Sequence, residues 1–427
     1  MCIVGGGFTG LWTAYELRRA DPGLKVVVLE AEHVGFGASG RNGGWVLGTV
    51  SGRAEAWRRR GGNDAFRAMS HAIQATVAEI GEVIAREHID CDWLHGGSLT
   101  LARNEPQLDR LRSELERERT WAPDDSAWEL LSKDQLQERV AIDRGTGALY
   151  TPYCARVQPA KLAVGLAEAV QRSGAVIYEQ SPVLGAERGV ARTDSGQVRA
   201  RFVILATEGY TANLPARHRS LLPLNSAMIV TEPLPAELWR KLRWEGAETL
   251  LEGLYLYTYS QRTAEGRIAI GGRGVPYRFG SRTDREGPVP DRTVQELRGH
   301  LCALFPALED VGVARAWHGV IGVSRDWCPT VVLDRASGLG LAGGYAGEGV
   351  AASNLAGRTL CDLILKRDSE LTRLPWVGGQ ARKWEPEPLR FLGARGIYWL
   401  YGEADRREAR TGRRSRIAAL ANAVAGR

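Results

Sequence analysis

The chain has 427 residues, 44% of them hydrophobic, and a formal net charge of +6. It is long enough to bury a large core and to form two intertwined domains, and no apolar run reaches the ~18 residues that a membrane-spanning helix requires. Most of the positive charge is arginine, much of it in Arg58-Arg59-Arg60 and residues 406–414, but acidic residues lie in or near these runs and interleaved aromatics are absent apart from Trp57. That pattern reads as solvated surface and not as a nucleic-acid interface.

Cys2, Ile3 and Val4 form a short strand that runs into the turn Gly5-Gly6-Gly7-Phe8-Thr9-Gly10. In this spacing Gly5 permits the tight turn, Gly7 lets the backbone approach a pyrophosphate, and Gly10 lets the next helix pack close to the sheet. Leu11, Ala14, Tyr15 and Leu17 continue at helical spacing, so a helix N-terminus offers free amides and a positive dipole end to phosphate. Residues 25–29 read as the second strand. It ends in Glu30, about 20 residues past Gly10, where an acceptor for ribose hydroxyls belongs. A second glycine-rich loop follows at residues 35–44; a plain nicotinamide-binding domain has no need of it, and the pair of loops points to FAD. The first strand is short beside the usual five or six residues or so. The expectation is a start assigned late or a few residues lost, with no room for a secretory signal ahead of the fingerprint.

Residues 67–87 form an amphipathic helix with Met69, Ile73, Val77, Ile80 and Ile84 on one side. Residues 90–101 read as short strands around Gly96 and Gly97, residues 107–121 as a charged surface helix, and residues 139–150 as an irregular approach to Thr151-Pro152. A helix over 161–173 delivers residues 175–179, which read as a buried strand of an α/β sheet. After a hairpin around residues 193–196, residues 201–207 form a buried strand whose small end, Ala206 and Thr207, suits close approach of a cofactor. Residues 226–231, 253–259 and 267–272 alternate as antiparallel strands do. Tyr255, Tyr257 and Tyr259 have one parity and so share a face, either as core or as a wall above a flavin. Residues 338–342 are a further strand, feeding a glycine loop at 343–349 and a helix rich in small residues. That second helix N-terminus sets partial positive charge against the electron-rich ring of a reduced flavin. Cys2, Cys91, Cys154, Cys302, Cys328 and Cys361 have no metal spacing or close pairs and read as thiols of a cytoplasmic protein. No two histidines sit at ligand spacing, so no metal site is expected.

The opening fingerprint, the motif Gly37-Ala38-Ser39-Gly40-Arg41-Asn42-Gly43-Gly44, the segment 317–329 and the closing loop 344–349 resemble the D-amino-acid-oxidase-type FAD oxidoreductases over nearly the whole chain. Within that group the chain is most similar to the gamma-glutamylputrescine oxidase branch, on Asn42-Gly43-Gly44, Thr231-Glu232-Pro233-Leu234 and residues 384–390. The resemblance implies an α/β fold of the glycine/D-amino acid oxidase kind. A discontinuous Rossmann-like FAD-binding domain would span residues 1–85, 151–220 and 315–370, an antiparallel-sheet substrate domain 86–150 and 221–314, and a C-terminal extension 371–427. FAD would be held by Gly5, Gly7, Phe8, Thr9, Gly10, Glu30, Ala31, Ala38, Ser39, Gly40, Arg41, Asn42, Gly43, Gly44, Val183, Ala206, Thr207, Gly344, Gly347, Gly349 and Val350. The resemblance also implies the reaction: a neutral amine gives a hydride to flavin N5, water hydrolyses the imine, and the flavin is reoxidised, commonly by O2 with H2O2 formed. The protein then has mainly to position the C–H bond and keep the amine unprotonated.

The chain departs from these relatives at the substrate anchors. In glycine and D-amino acid oxidases an arginine two residues past the glycine of a Trp-x-Gly segment pairs with the substrate carboxylate. Here the segment is Trp317-His318-Gly319 and that place holds Ile321, which cannot form a bidentate pair. The lysine that sarcosine oxidases place after the closing loop is matched by Ala351, and Cys328 lies too far along to match their covalent flavin cysteine. The expectation is non-covalent FAD and a substrate other than a simple α-amino acid. Glu348 is a candidate to hold a distal ammonium, or else a helix cap. His318 is a candidate proton acceptor or a structural residue, and Tyr257 a candidate catalytic residue. Trp45, Tyr255, Arg273 and Tyr345 are candidates for the substrate wall, Trp45 by stacking or by packing on the flavin domain. Three functions stay open: an FAD-dependent oxidase of a primary or secondary amine, a flavin dehydrogenase with a non-oxygen acceptor, and a non-catalytic FAD-binding subunit. The expected partners are a small-molecule amine and O2 or another acceptor. The tail from Leu374 onward, with Trp376, Trp384, Phe391, Tyr398 and Trp399, is apolar enough to dock on the body or on a partner.

Overall fold

A computed structural model describes residues 1–121, 127–275, 277–283, 289–379 and 382–425, without the side chains of 121, 273–275 and 424. Two large sheets carry the molecule. The first has six strands in the order Thr330–Asp334, Leu339–Gly343, Val203–Leu205, Cys2–Val4, Val27–Leu29, Val176–Tyr178. All neighbours run parallel except the first pair. Its central strands are apolar at every residue because both faces are covered. Ile3, Val28 and Ile204 pack under the helices Phe8–Ala20, Pro159–Arg172 and Gly349–Leu365. Cys2, Val4, Val203 and Leu205 face a small antiparallel sheet of Val183–Glu187, Val190–Thr193 and Gln197–Arg199. The small residues of Gly349–Leu365 let it touch the first helix: a Cβ on Gly357 would lie 2.8 Å from the Thr13 nitrogen, closer than packed atoms approach.

The second sheet has eight strands in the order Val313–Val323, Leu222–Thr231, Ile268–Val275, Thr258–Arg262, Thr249–Glu252, Ser98–Ala102, Gly147–Thr151, Glu129–Ser132. It is antiparallel except where Thr249–Glu252 runs beside Ser98–Ala102. Behind it, Leu297, Leu301 and Leu304 of the helix Asp291–Leu304 meet Trp244 and Phe305, whose rings stack at 5.8 Å.

Four expectations need correction. Val176–Tyr178 is the edge strand of the first sheet, with Val176 and Tyr178 46% and 53% exposed; its apolar run reflects one neighbour and one covered face, through Ile177. Residues 253–257 are not strand, because the Tyr255 and Leu256 N–H groups donate to the Asp405 carboxylate (2.9 and 3.0 Å) and not to a neighbouring strand. Trp317, His318 and Gly319 belong to the second sheet, since Val313–Val323 pairs along its length with Leu222–Thr231. The helix expected at 67–87 begins much earlier, at Ala54, and passes a kink at Gly62, where φ is +81°.

The C-terminal segment docks on the body. Trp384 Nε1 donates to the Val323 carbonyl (2.7 Å), Arg325 pairs with Glu385 (3.0 Å), and Arg110 pairs with Glu408 (2.7 Å) from the helix Leu389–Thr411. Among the described residues no helix is long and apolar enough to cross a membrane, and no three His, Cys, Asp or Glu side chains cluster as metal ligands would.

Candidate functional site

The opening strand delivers a turn that only glycine can make. Gly5 has φ +111°, and a Cβ there would lie 2.5 Å from the Ala206 carbonyl oxygen. The helix Phe8–Ala20 starts at Gly7 with no side-chain cap of its own, so beyond Phe8, whose N–H goes to Ser39, the first turn offers the Thr9 and Gly10 amides to an anion. Gly10 lies behind the turn, where it clears the Gly5 carbonyl. Glu30 closes the next strand with its Oε2 accepting from Gly6 N (2.7 Å) and its Oε1 from Glu32 N (2.9 Å). Each oxygen keeps a lone pair for a ribose hydroxyl. Burial raises the pKa of this carboxyl more than its backbone donors lower it.

The second glycine loop folds over that helix start. Ser39 Oγ accepts from Phe8 N (2.8 Å) and retains its own proton to donate. Asn42 staples the loop: its Nδ2 donates to the Ala38 and Ser39 carbonyls (3.1 and 2.7 Å) and its Oδ1 accepts from Gly44 N (2.7 Å). Arg41 lies over the Phe36 ring at 4.1 Å and reaches the His318 carbonyl (3.4 Å), while Trp317 Nε1 donates to the Arg41 carbonyl (2.9 Å). Gln261 Nε2 donates to the Gly43 carbonyl (2.6 Å). Arg41 and Gly43 thus join the loop to the second sheet.

Between the two sheets runs a cavity of about 380 Å³. Gly5, Gly7, Phe8, Thr9, Glu30, Ala31, Ala38, Ser39, Asn42, Val183, Ala206, Thr207, Gly347, Gly349 and Val350 line it, all named from sequence as cofactor residues. Gly10, Gly40, Arg41, Gly43, Gly44 and Gly344 stand outside its lining and shape the turns and the joint behind it. Tyr345, named as a substrate residue, is buried in this lining; its hydroxyl shares a hydrogen bond with Thr9 Oγ1 (3.0 Å), and burial drives its pKa far up. Sequence reading missed Glu208, Tyr210, Asn213 and Val320 as lining residues, while Ile321, read as standing in the place of the substrate arginine, does line it. Glu208 and Tyr210 follow Val203–Leu205 directly, and the rule that ligands collect beyond the carboxyl ends of parallel strands was the signal that could have found them.

The candidates for substrate and catalysis are more scattered. Trp45 starts the strand Trp45–Leu47 and packs edge-on to Tyr259 at 6.0 Å; Tyr259 shares a hydrogen bond with Ser226 Oγ (2.8 Å). Tyr255 is drawn away: its ring stacks on Tyr401 at 5.8 Å, and its hydroxyl lies 3.1 Å from Arg110 Nη1 and 3.2 Å from Glu408 Oε1. Its place is the joint with the C-terminal helix. Tyr257 is half-buried at the entry to Thr258–Arg262. His318 is 8% exposed, opposite Ala227 in the second sheet. Glu348 holds the N-cap position of Gly349–Leu365, yet its side chain makes no capping bond. The Arg273 side chain lies outside the described residues.

The cavity fits an extended dinucleotide. Its lining combines a ribose acceptor, Glu30, the starts of the helices Phe8–Ala20 and Gly349–Leu365, and the apolar or aromatic side chains of Tyr345, Val320 and Ile321. A parallel sheet of this connectivity joined to a mainly antiparallel one through such a cavity defines a two-domain flavoprotein.

The chain belongs to the FAD dependent oxidoreductase family, DAO, which it matches over residues 1–363. FAD is its cofactor and it is an oxidoreductase. It is 34% identical to the gamma-glutamylputrescine oxidoreductase of Escherichia coli (strain K12), across 92% of this chain and 91% of that one. It is 25% identical to the glycine oxidase of Geobacillus kaustophilus, across 88% and 95%. The crystal structure of glycine oxidase from Geobacillus kaustophilus has a similar fold, with a TM-score of 0.72 at 22% identity over 86% of this chain and 95% of that one. L-proline dehydrogenase from P. horikoshii is similar in fold as well, at 0.70, 19%, 87% and 94%.

Proposed function

We propose that this protein oxidises a primary or secondary amine at its C–N bond. The observation that carries the reading is the sheet end of the cavity, which Val320 and Ile321 line with apolar surface. A bidentate hold on an α-carboxylate would need a guanidinium there. One similar protein is named for gamma-glutamylputrescine and another for glycine; the apolar wall favours the amine over the amino acid.

FAD, when bound, would supply the acceptor for a hydride from the carbon beside nitrogen and the route of those electrons to O2, giving H2O2. The chain's part is placement. Gly5, Gly7 and the helix start at Phe8 take the pyrophosphate, Glu30 the ribose, and Gly347, Gly349 and Val350 the ring end. Trp45 and Tyr257 stand outside the cavity's lining and are assigned to the substrate wall beyond it. Glu348 stands between two cavity-lining glycines and is assigned to a cationic group of the substrate; His318, two residues before Val320, is assigned to the amine proton. FAD is held without a covalent bond: Cys328 lies outside the cavity lining, buried under Gly52, and burial pushes its thiol up to about 12, so no thiolate is available for attachment.

The test is anaerobic mixing of the purified yellow protein with diamines, N-acylated diamines, secondary amines and α-amino acids, followed by air. Bleaching by an amine without an α-carboxylate, and peroxide on aeration, is the expected result. Bleaching by α-amino acids alone overturns the substrate assignment, and slow reoxidation by air would assign the electrons to another acceptor.

A further inference from the structure

Glu208 is a charged residue where the fold has no obvious need of one. It follows the strand Val203–Leu205 and adopts φ +42°, a left-handed conformation that costs a non-glycine residue roughly 1–2 kcal/mol. Its carboxylate binds three main-chain donors from two other segments: Gly344 N at 2.8 Å, Tyr345 N at 3.2 Å and Gly322 N at 3.1 Å. Space has been cleared for it. A Cβ on Gly343 would lie 2.7 Å from Glu208 Oε2, and one on Gly322 would lie 3.2 Å from the Glu208 carbonyl carbon. Among the described residues no cation pairs with it, and burial outweighs its three donors, raising its pKa to about 7. It lines the cavity with Ile321 and Tyr345 and bonds the closing loop itself, the loop that the family resemblance sets against the flavin ring.

We propose that Glu208 is a positioning residue for the flavin: it clamps the closing loop and the end of Val313–Val323 to the carboxyl end of the central sheet, and its negative charge sets the potential of the bound FAD. The clamp follows from a carboxylate that bridges strands distant in sequence with charge-assisted bonds. The tuning follows because a charge lining the cavity that FAD fills, half-buried and held by three backbone donors, is less screened than a surface charge when the ring gains electrons.

Two variants test this without any substrate. In Glu208→Gln the midpoint potential of the FAD-loaded protein, read by photoreduction against a reference dye, is expected to be more positive than in the wild type at pH 8.5. A tenfold gain in affinity for reduced over oxidised flavin corresponds to about 30 mV for a two-electron couple. The gap is expected to close by pH 6, where the wild-type carboxyl is protonated. Tyr210, Arg41, His318, Tyr345 and Glu348 also stand on the segments packed around it; both proteins carry them, so they cancel in the difference. Equal potentials at pH 8.5, or a gap unchanged at pH 6, overturns the proposal. Should the glutamine variant not retain FAD, Glu208→Asp decides, because it keeps the charge but cannot reach all three donors. It is expected to bind FAD at least about tenfold more weakly, the loss of roughly 1.4 kcal/mol for one charge-assisted bond; wild-type affinity overturns the clamp. Absence of amine oxidation would leave these readouts unaffected.

Discussion

Gly44 holds φ +70°, and a Cβ there would meet Gln261 Nε2 and the Val157 carbonyl oxygen, each at 2.2 Å. Both the backbone angle and the neighbours reject a side chain, so Gly44→Ala is expected to lower the unfolding free energy by roughly 2–4 kcal/mol, measured by urea denaturation. Gly393→Ala is the opposite case: it lies inside the helix Leu389–Thr411 with no atom within 4 Å of an added Cβ, and a gain of about 0.5–1 kcal/mol is expected. Glu208 makes a prediction about pH. Its folded pKa, about 7, lies above the ordinary carboxylate value of 4.5, so the native state holds its proton where the unfolded chain has lost it. Its contribution to apoprotein stability is therefore fully present below pH 4.5 and is lost as pH rises to about 7. Unfolding at pH 5 and pH 7.5 should show a decline in the wild type that Glu208→Gln lacks; parallel changes in both proteins would refute it.

Among the elements, the C-terminal helix is the one whose role sequence could least define. Its aromatic content announced a docking surface without saying where it docks. The structure answers with polar groups: Asp405 takes the N–H groups of the loop before Thr258–Arg262, and Glu408, 1% exposed, binds Arg110, the Tyr255 hydroxyl and Ser415 N. These groups belong to segments far apart in the chain, which is why the alternation at residues 253–257 reads as strand from sequence although only Thr258 onward is one. Glu408→Ala leaves Arg110 and Tyr255 without that partner. Breaking a buried pair costs about 3–5 kcal/mol, and because the Arg110 side chain is 21% exposed a loss nearer 2–3 kcal/mol is expected. Limited proteolysis should then cut in Leu389–Thr411 at a protease concentration that leaves the wild type intact. An unchanged digestion pattern and melting temperature would mean that the helix is held by its apolar face alone.

At the scale of the whole molecule, what was legible was what is local. Strand, glycine turn, helix, strand and Glu30 follow one another within 30 residues, and each step has a sequence signal of its own. Of the far wall of the cavity only Ile321 read out; Glu208 and Val320 did not, because they meet it there only after two sheets have been assembled. That same construction gives FAD a mechanical role. The cavity takes lining from the first sheet, from the second glycine loop and from Val320 and Ile321 in the second sheet, so a ligand that fills it joins all three, and none of these sites exists in the unfolded chain. Binding must then stabilise the native state by RT ln(1 + [FAD]/Kd), about 2.7 kcal/mol at a hundredfold excess over Kd. Calorimetry of the apoprotein with increasing FAD should show the melting temperature rising with the logarithm of concentration, with both sheets unfolding in one transition. If FAD raised only one of two resolved transitions, the cavity would be a site of the first sheet alone, and the contacts of Arg41 and Gly43 with the second sheet would be incidental to binding.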